Sequence, residues 1–281
     1  MKFVPPDAKP GINHNVSPEH PLKEALTLVV GAAVLIVGLT MLLVFAMDRF
    51  VDWLPPETET QLLRADWSTS DEGGPEQARL QIIVDKLAEA WPENPYAFRV
   101  SIWPSEVPNA FALPGGVIGV TRGLLDEVTS ENEIAFVLAH EIGHFKNRDH
   151  LRGLGRGLAL GLAWAWLTSS GANLDVGNLI STVTERSFAR EQESKADEVG
   201  LRLLVAKYGH AAGATKFFER RAADEDSADA VALPFSTHPL SDRRVDALLA
   251  RAAELDVEVD GELTPWSPAT ESPSEVSHDQ D

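Results

Sequence analysis

Apolar residues along the chain form one long uncharged run, several stretches with helical spacing and one region of alternation. The uncharged run covers residues 25–47. Apolar positions three and four residues apart predict helices at 77–90, 130–149, 184–208, 210–222 and 241–255. Alternation predicts strands at 98–102, 109–113 and 117–121, the last two joined across Pro114-Gly115-Gly116 as a hairpin-like pair. The pattern predicts a mostly helical α+β fold with a small sheet packed beside helices.

The long run, from Ala25 to Met47, contains 23 residues and no charge. At 1.5 Å per residue, a helix of this length crosses the roughly 30 Å hydrocarbon core of a bilayer with some tilt. A cleaved signal peptide fits poorly, because about two dozen mostly polar residues come first and Phe45-Ala46-Met47-Asp48 has no small-x-small cleavage pattern. A buried core helix is the other alternative. We interpret the run as a single transmembrane anchor.

The rest of the chain divides around this anchor. Residues 1–24 are polar and rich in proline, and residues 48–75 have the composition of a linker, with Pro55-Pro56 and Gly73-Gly74 among acidic residues. Residues 76–255 carry the predicted strands and the remaining helices, and form one domain. Residues 256–281 are rich in Asp, Glu, Ser and Pro, which predicts a disordered acidic tail.

A second apolar stretch covers residues 158–167 and contains Trp164 and Trp166. Arg152 and Arg156 come just before it. About ten residues are too few to cross a bilayer. We expect a buried or membrane-grazing helix here, with a true second span as the alternative.

Positive charges around the anchor favour one orientation in the membrane. Lys2, Lys9 and Lys23 precede the run, whereas Arg49 and Arg64 follow it. Because positive residues are enriched on the cytoplasmic side, this small excess predicts a cytoplasmic N-terminus and an extracytoplasmic domain. The excess is a single residue, so the cytoplasmic side stays as the alternative.

Composition excludes some classes of function and of site. The formal net charge is −19, which argues against nucleic acid as a partner. Nine acidic residues and no Lys or Arg lie between Glu254 and Asp281, so the body of the domain is only mildly acidic. The chain has no Cys, so a bound metal must be held by His, Asp or Glu.

The segment His140-Glu141-Ile142-Gly143-His144 lies within the predicted helix that begins at Ser130, a capping residue with Glu133 three positions later. His140 and His144 are four residues apart, so both imidazoles project from one face and can hold a single metal ion. Glu141 can reach a water activated by that metal and take its proton. This arrangement suits general-base hydrolysis of a peptide bond at zinc.

A zinc site of this kind needs a third protein ligand and an open fourth position. Glu193 is the candidate, with Asp197 four residues later on the same helical face as a hydrogen-bond acceptor for a zinc-bound imidazole. Gly200 continues that face and allows two helices to approach closely. The alternative is a solvated helix face with alternating charges, and spacing alone does not decide between the two.

Four ordered motifs resemble the membrane-associated zinc metallopeptidases typified by HtpX and the CaaX prenyl protease. They are the strand segment before the active-site helix (109–116 together with 121–125), His140-Glu141-x-x-His144, Glu193-x-x-Ala196-Asp197 and Ser236-Thr237-His238-Pro239. The resemblance covers residues 75–254. It implies a zincin-like domain of the gluzincin type with one zinc ion per chain.

The same resemblance implies a role for each site residue. His140, His144 and Glu193 would be the ligands, Glu141 the general base and Asp197 the orienting carboxylate. His238 and Arg244 would lie near the zinc, where either could stabilise an oxyanion. His238 could instead occupy the open metal position in a resting state.

The chain departs from the HtpX pattern because it has one clear anchor rather than several spans. It is closer to single-anchor or periplasmic members, which also favours the extracytoplasmic orientation. We expect an anchored zinc endopeptidase acting on unfolded or misassembled proteins. A zinc-containing chaperone or scaffold with little proteolysis is the alternative.

Metalloproteases commonly bind an extended substrate at a sheet edge. Strand 109–113 or strand 117–121 is the candidate edge, and plain pairing inside the core is the alternative. The sequence gives no prediction of oligomeric state.

Overall fold

The computed structural model describes residues 20–62, 74–168, 190–225 and 242–266. Three strands lie in these ranges: β1 (Arg99–Trp103), β2 (Ala110–Leu113) and β3 (Val117–Thr121). The helices are α1 (Pro21–Trp53), α2 (Pro56–Leu62), α3 (Pro75–Glu89), α4 (Arg122–Glu127), α5 (Glu131–Asn147), α6 (Asp149–Thr168), α7 (Arg190–Tyr208), α8 (Lys216–Glu225) and α9 (Asp242–Glu254). The predicted mostly helical α+β fold is confirmed.

The sheet has the order β1-β3-β2. Strands β2 and β3 are antiparallel and form the predicted hairpin, whereas β1 runs parallel to β3. Gly115 and Gly116 make the turn with φ angles of 88° and 85°, in the left-handed region that glycine adopts without strain. Because β3 pairs on both sides, the suggestion that 117–121 offers a substrate edge is wrong. Among the described strands, β2 is left as an edge near the site.

Helix α5 is the centre of the domain. Every residue from Asn132 to Phe145 is buried, because β2, α3, α6 and α7 all pack around this helix. Its first turn is capped as predicted: Ser130 Oγ accepts a hydrogen bond from the Glu133 N–H at 3.2 Å. The helix ends where Arg148 adopts a left-handed conformation, with φ 59°.

Helices α5 and α7 approach each other where both carry small residues. A Cβ on Gly143 would lie 2.8 Å from the Cα and the carbonyl oxygen of Ala196. A Cβ on Gly200 would lie 3.4 Å from the backbone nitrogen of His140. Gly200 lies on this helix contact as predicted, but at an ordinary van der Waals distance from the α5 backbone, so Gly143 is the glycine that limits how closely the helices can approach.

Two segments differ from the sequence-based expectation. In the predicted linker 48–75, α1 continues to Trp53 and α2 packs on the domain, with Glu59 fully buried. In the predicted disordered tail, residues 256–266 pack on the domain: Glu131 N–H donates to the Thr264 carbonyl at 2.7 Å, and Trp266 is buried under Arg79. The tail prediction is wrong for these eleven residues, because Trp266 supplies apolar area that the acidic composition conceals. Residues 1–19, 63–73 and 267–281 lie outside the described ranges.

Helix α1 is the one described helix that is long and apolar enough to cross a membrane. Helix α6 packs antiparallel against its C-terminal half. Arg152 pairs with Asp52 at 2.5 Å, Arg156 pairs with Asp48 at 3.3 Å, and Gly155 packs against Met47. The apolar stretch 158–167 is therefore the second half of a continuous twenty-residue helix.

The α5–α7 contact predicts an asymmetric response to the same substitution at two helical glycines. Gly143→Ala is expected to lower the free energy of unfolding by about 1–3 kcal/mol, because the new methyl group meets backbone that cannot turn away. Gly153→Ala in α6, where nothing lies within 4 Å, is the matched control and should be neutral or stabilising by up to about 1 kcal/mol. Thermal unfolding of the detergent-solubilised protein measures both. Equal melting temperatures for the two variants would contradict the close-contact interpretation.

Candidate metal centre and active site

Three candidate ligands from two helices meet at one buried point. His140 and His144 lie one turn apart on α5, and Glu193 lies in the first turn of α7. The two Nε2 atoms are 3.1 Å apart. Glu193 Oε2 is 3.5 Å from His140 Nε2, and Oε1 is 3.5 Å from His144 Nε2. The three side chains form the one potential metal cluster found among the described residues.

These separations fit a zinc ion. Zinc in proteins is tetrahedral, with bonds of about 2.0–2.2 Å to imidazole nitrogen and carboxylate oxygen, which requires donor atoms roughly 3.3–3.5 Å apart. The observed 3.1–3.5 Å agree with this requirement. Two imidazoles and one carboxylate are also the ligand set of a catalytic zinc with an open fourth position. The donor set therefore fits the metal that the motifs predict.

The electrostatics of the site favour a positive charge between the two imidazoles. Burial alone would lower the pKa of His144, but hydrogen bonds to Asp149 and Glu193 and the charge of Glu141 raise it to about 10. The pKa of His140 is raised in the same way, against burial, by Asp197 and Glu193. Carboxylates thus outnumber the bases around this point, and a divalent cation would offset their charge.

Each of these two imidazoles contacts a further carboxylate through its other nitrogen. His140 Nδ1 lies 2.9 Å from Asp197 Oδ1, and His144 Nδ1 lies 3.0 Å from Asp149 Oδ2. Gln192 Nε2 in turn donates to Asp149 Oδ1 at 2.5 Å. These contacts hold the Nδ1–H tautomer and direct both Nε2 lone pairs to the metal position.

Asp149 belongs to this site and was not among the residues predicted from the sequence. It follows the end of α5, five residues after His144, and is buried at 2% exposure. The left-handed Arg148 turns the chain back, so that Asp149 faces the helix it has just left. In the sequence, Asp149 is marked only as an acidic residue just after the end of the motif helix. That position indicates a contact with His144 only when the conformation of the turn is known.

Arg244 on α9 reaches the same site and is 8% exposed. Its Nη1 lies 2.7 Å from Glu193 Oε2, its Nη2 and Nε bind the two oxygens of Asp197 at 2.8 and 3.3 Å, and its guanidinium covers the Phe218 ring. Burial would raise the pKa of Asp197, but the Arg244 charge and the His140 contact bring it below its ordinary value. A bidentate guanidinium–carboxylate pair fixes both geometry and charge.

Glu141 is buried beside the metal position, and its charge contributes to the raised pKa values of His144 and Arg244. The structure therefore brings together His140, Glu141, His144, Glu193, Asp197 and Arg244 from the sequence-based set. His238, with Ser236, Thr237 and Pro239, lies outside the described residues.

Comparisons with known proteins agree with this geometry. Residues 75–252 match the model for Peptidase family M48. A protease HtpX homologue of Pyrococcus abyssi is 31% identical, over 67% of this chain and 77% of its own length. The metalloprotease LoiP of Escherichia coli is 28% identical over 62% of this chain and 69% of its own length, and the mitochondrial metalloendopeptidase OMA1 of Danio rerio is 27% identical over 78% and 50%.

The family match covers the sheet, the motif helix and α7 through most of α9, which is the part of the chain that builds the buried site. The resemblance inferred from four short motifs thus extends over most of a domain, and with it the expectation of a zinc-dependent peptidase. The chain belongs to peptidase family M48.

Proposed function

We propose that His140, His144 and Glu193 hold the single zinc ion of this metalloendopeptidase and that Glu141 is its general base. The observation that supports the assignment most strongly is the convergence of two Nε2 atoms and one carboxylate within 3.5 Å, with a second carboxylate on each Nδ1. The group is buried inside the domain, where such polar atoms are costly unless they are compensated.

The chain's own residues divide the work of hydrolysis. A bound zinc supplies Lewis acidity, which lowers the pKa of a water molecule and polarises the scissile carbonyl. The Glu141 carboxylate accepts the proton of the attacking water as the new C–O bond forms. It then gives that proton to the amine nitrogen as the C–N bond breaks, so that Glu141 ends ionised as it began.

Asp197 and Asp149 keep protons on the Nδ1 atoms, so that the Nε2 lone pairs of His140 and His144 face the metal position. Arg244 links the third ligand to this arrangement by binding Glu193 and Asp197 together. We propose that the first role of Arg244 is to position Glu193 and Asp197. Stabilisation of an oxyanion by Arg244 or His238, as the family likeness suggests, belongs to the same proposal.

The substrate is proposed to be an extended stretch of unfolded or misassembled protein. Strand β2 packs against α5, which carries the metal ligands, and its second edge is unpaired by any described strand. An extended peptide can add to such an edge through backbone hydrogen bonds, which make few demands on sequence. This mode would suit a protease that recognises loss of structure rather than one sequence.

We propose an extracytoplasmic catalytic domain, supported by the lysines that precede the apolar run 25–47. Helix α6 adds a second contact with the membrane. The partly covered residues of α1 form one stripe that begins at its midpoint: Ile36, Thr40, Leu43, Val44, Met47 and Asp48, ending at the buried Val51. Since the apolar run is 25–47, Ile36 would lie near the middle of the bilayer.

Helix α6 has no charged residue after Arg156, and its last twelve residues extend about 18 Å, somewhat more than one leaflet. Leu162, Trp164 and Leu167 are 44%, 65% and 59% exposed. We propose that this half of α6 lies beside α1 in the leaflet next to the catalytic domain. The ion pairs Arg152–Asp52 and Arg156–Asp48 would then lie at the membrane surface.

Glu141→Gln should reduce turnover of a casein-type substrate by about 10²–10⁴-fold, because an amide cannot accept the water proton. Zinc content, measured by atomic absorption, should stay near that of the wild type. If wild type and variant bind unfolded protein equally and neither cleaves it, the protein is the zinc-containing chaperone instead.

The loss of zinc affinity in a variant should be larger when the substituted side chain binds the metal directly than when it contacts a ligand. Glu193→Gln removes a ligand and should weaken binding by more than about 100-fold, whereas Asp149→Asn removes a bracing carboxylate and should cost about 10–100-fold. Glu191→Gln, exposed on the same turn of α7, is the matched control and should bind as the wild type does. Competition with a chromogenic chelator measures all three. Unchanged affinity in Glu193→Gln would remove it from the ligand set.

A fluorescent label at Leu162→Cys should be quenched by spin-labelled lipid chains and not by iodide, because the position lies in hydrocarbon. A label at Ile82→Cys on α3, 55% exposed, is the matched control and should show the opposite response. The chain has no Cys, so each label occupies one site. Quenching of the label at 162 by iodide would contradict lipid contact. Protection of this label from both quenchers would also contradict it, because a second copy of the protein would then cover the position.

Labelling of Ile82→Cys in intact cells by an impermeant maleimide supports the extracytoplasmic side.

A further inference from the structure

Three consecutive residues join the metal helix to the membrane anchor. Arg148, Asp149 and His150 form the junction between α5 and α6. Asp149 faces the metal centre and binds His144 Nδ1. Its two neighbours face the other way and contact the segment that follows the membrane helix, so one short turn contacts both parts of the molecule.

The contact on the anchor side is centred on Glu59, a fully buried carboxylate on α2. Its Oε1 lies 2.6 Å from His150 Nε2, and its Oε2 accepts a hydrogen bond from the Tyr96 hydroxyl at 2.8 Å. Gly115 N–H, in the β2–β3 turn, lies 3.5 Å from Oε1. A residue just beyond the anchor is therefore enclosed by distant parts of the catalytic domain.

Arg148 binds the anchor itself. Its Nη1 donates to the carbonyl of Val51 at 2.8 Å and to the carbonyl of Leu54, at the C-terminal end of α1. Its Nη2 lies 3.6 Å from Glu59 Oε2. A cation at a helix C-terminus satisfies carbonyls that have no partner within the helix and complements the helix dipole. Arg148 is thus held both by the end of α1 and by α2.

Glu59 carries a negative charge that needs these partners. Burial alone would raise its pKa, but the hydrogen bond and charge of His150, with Tyr96 and Gly115, lower it below the ordinary value. Removing one member of a buried charged group leaves the others uncompensated, so the junction would be expected to shift rather than tolerate the loss.

We propose that Glu59 is a positioning residue for the metal centre. By holding Arg148 and His150, it fixes the backbone on both sides of Asp149 and so keeps the Asp149 carboxylate against His144. The end of the membrane helix and the geometry of a metal ligand are then set by one buried cluster. This inference rests on the proposed assignment of His144 as a zinc ligand.

The test uses the full-length protein reconstituted in lipid nanodiscs, with Glu59→Gln compared against Glu57→Gln on the exposed side of the same short helix. Glu59→Gln should speed transfer of zinc to a chromogenic chelator by about three- to tenfold, less than removal of a carboxylate that touches the ligand itself. The kcat should fall by a similar factor with KM changed less than about twofold, because the glutamine amide oxygen can still accept from Gly115 N–H in the β2–β3 turn. Glu57→Gln should match the wild type.

Two further variants separate positioning from a merely structural role. His150→Gln should speed zinc release as Glu59→Gln does, and it decides the matter if Glu59→Gln does not fold. Tyr96→Phe removes one hydrogen bond but leaves the Glu59–His150 contact, so it should lower the melting temperature with little effect on zinc release.

The outcomes are distinguishable. Zinc release and kcat equal to those of the wild type in folded Glu59→Gln or His150→Gln would overturn the inference while leaving the zinc site intact. Wild-type protein that retains no zinc would instead overturn the ligand assignment, and the inference with it.

Discussion

The burial of the motif helix is the constraint on which the rest of the structure depends. Helix α5 is covered on every side, yet it carries two imidazoles and the carboxylate of Glu141. Polar groups in such a place must have partners, because water cannot solvate them. The neighbours supply these partners: α7 contributes Glu193 and Asp197, α9 contributes Arg244, and the turn after α5 contributes Asp149. The domain is thus organised around the compensation of a buried polar cluster.

Close packing follows from the same requirement. A ligand set drawn from two helices works only if their axes approach closely enough for short side chains to meet. Gly143 against Ala196 provides that approach, and Gly200 lies on the same contact beside the His140 backbone. The small residues and the polar residues therefore alternate along one helix–helix contact, so neither set can be changed without affecting the other. A displaced α7 would move Glu193 and Asp197 together.

Local patterns predicted a large part of this arrangement, and the failures share one cause. Helix spacing predicted α5 and α7. Four-residue spacing predicted the His140–His144 pair, and the family resemblance was needed to favour the Glu193–Asp197 face. Asp149 escaped because its direction depends on a left-handed residue that no periodicity marks. Glu59 escaped because its partner His150 is 91 residues away, in a segment whose prolines and acidic residues have the composition of a linker. Trp266 was hidden in an acidic tail for the same reason. The average composition of a segment predicts whether it is disordered, whereas a single buried side chain can be enough to hold the segment against the domain.

These missed residues lie where the domain meets its boundaries, and this suggests that the anchor is more than a tether. A flexible linker would let the catalytic domain tumble above the membrane, with the site indifferent to the bilayer. Here the chain enters the domain core six residues after α1 ends, and α6 returns along α1. The contacts made by Glu59, by Arg148 and by the two Arg–Asp pairs restrict movement of the membrane anchor relative to α5. A tilt or displacement of α1 would therefore act on the α5–α6 turn, and through Asp149 on His144, the proposed metal ligand.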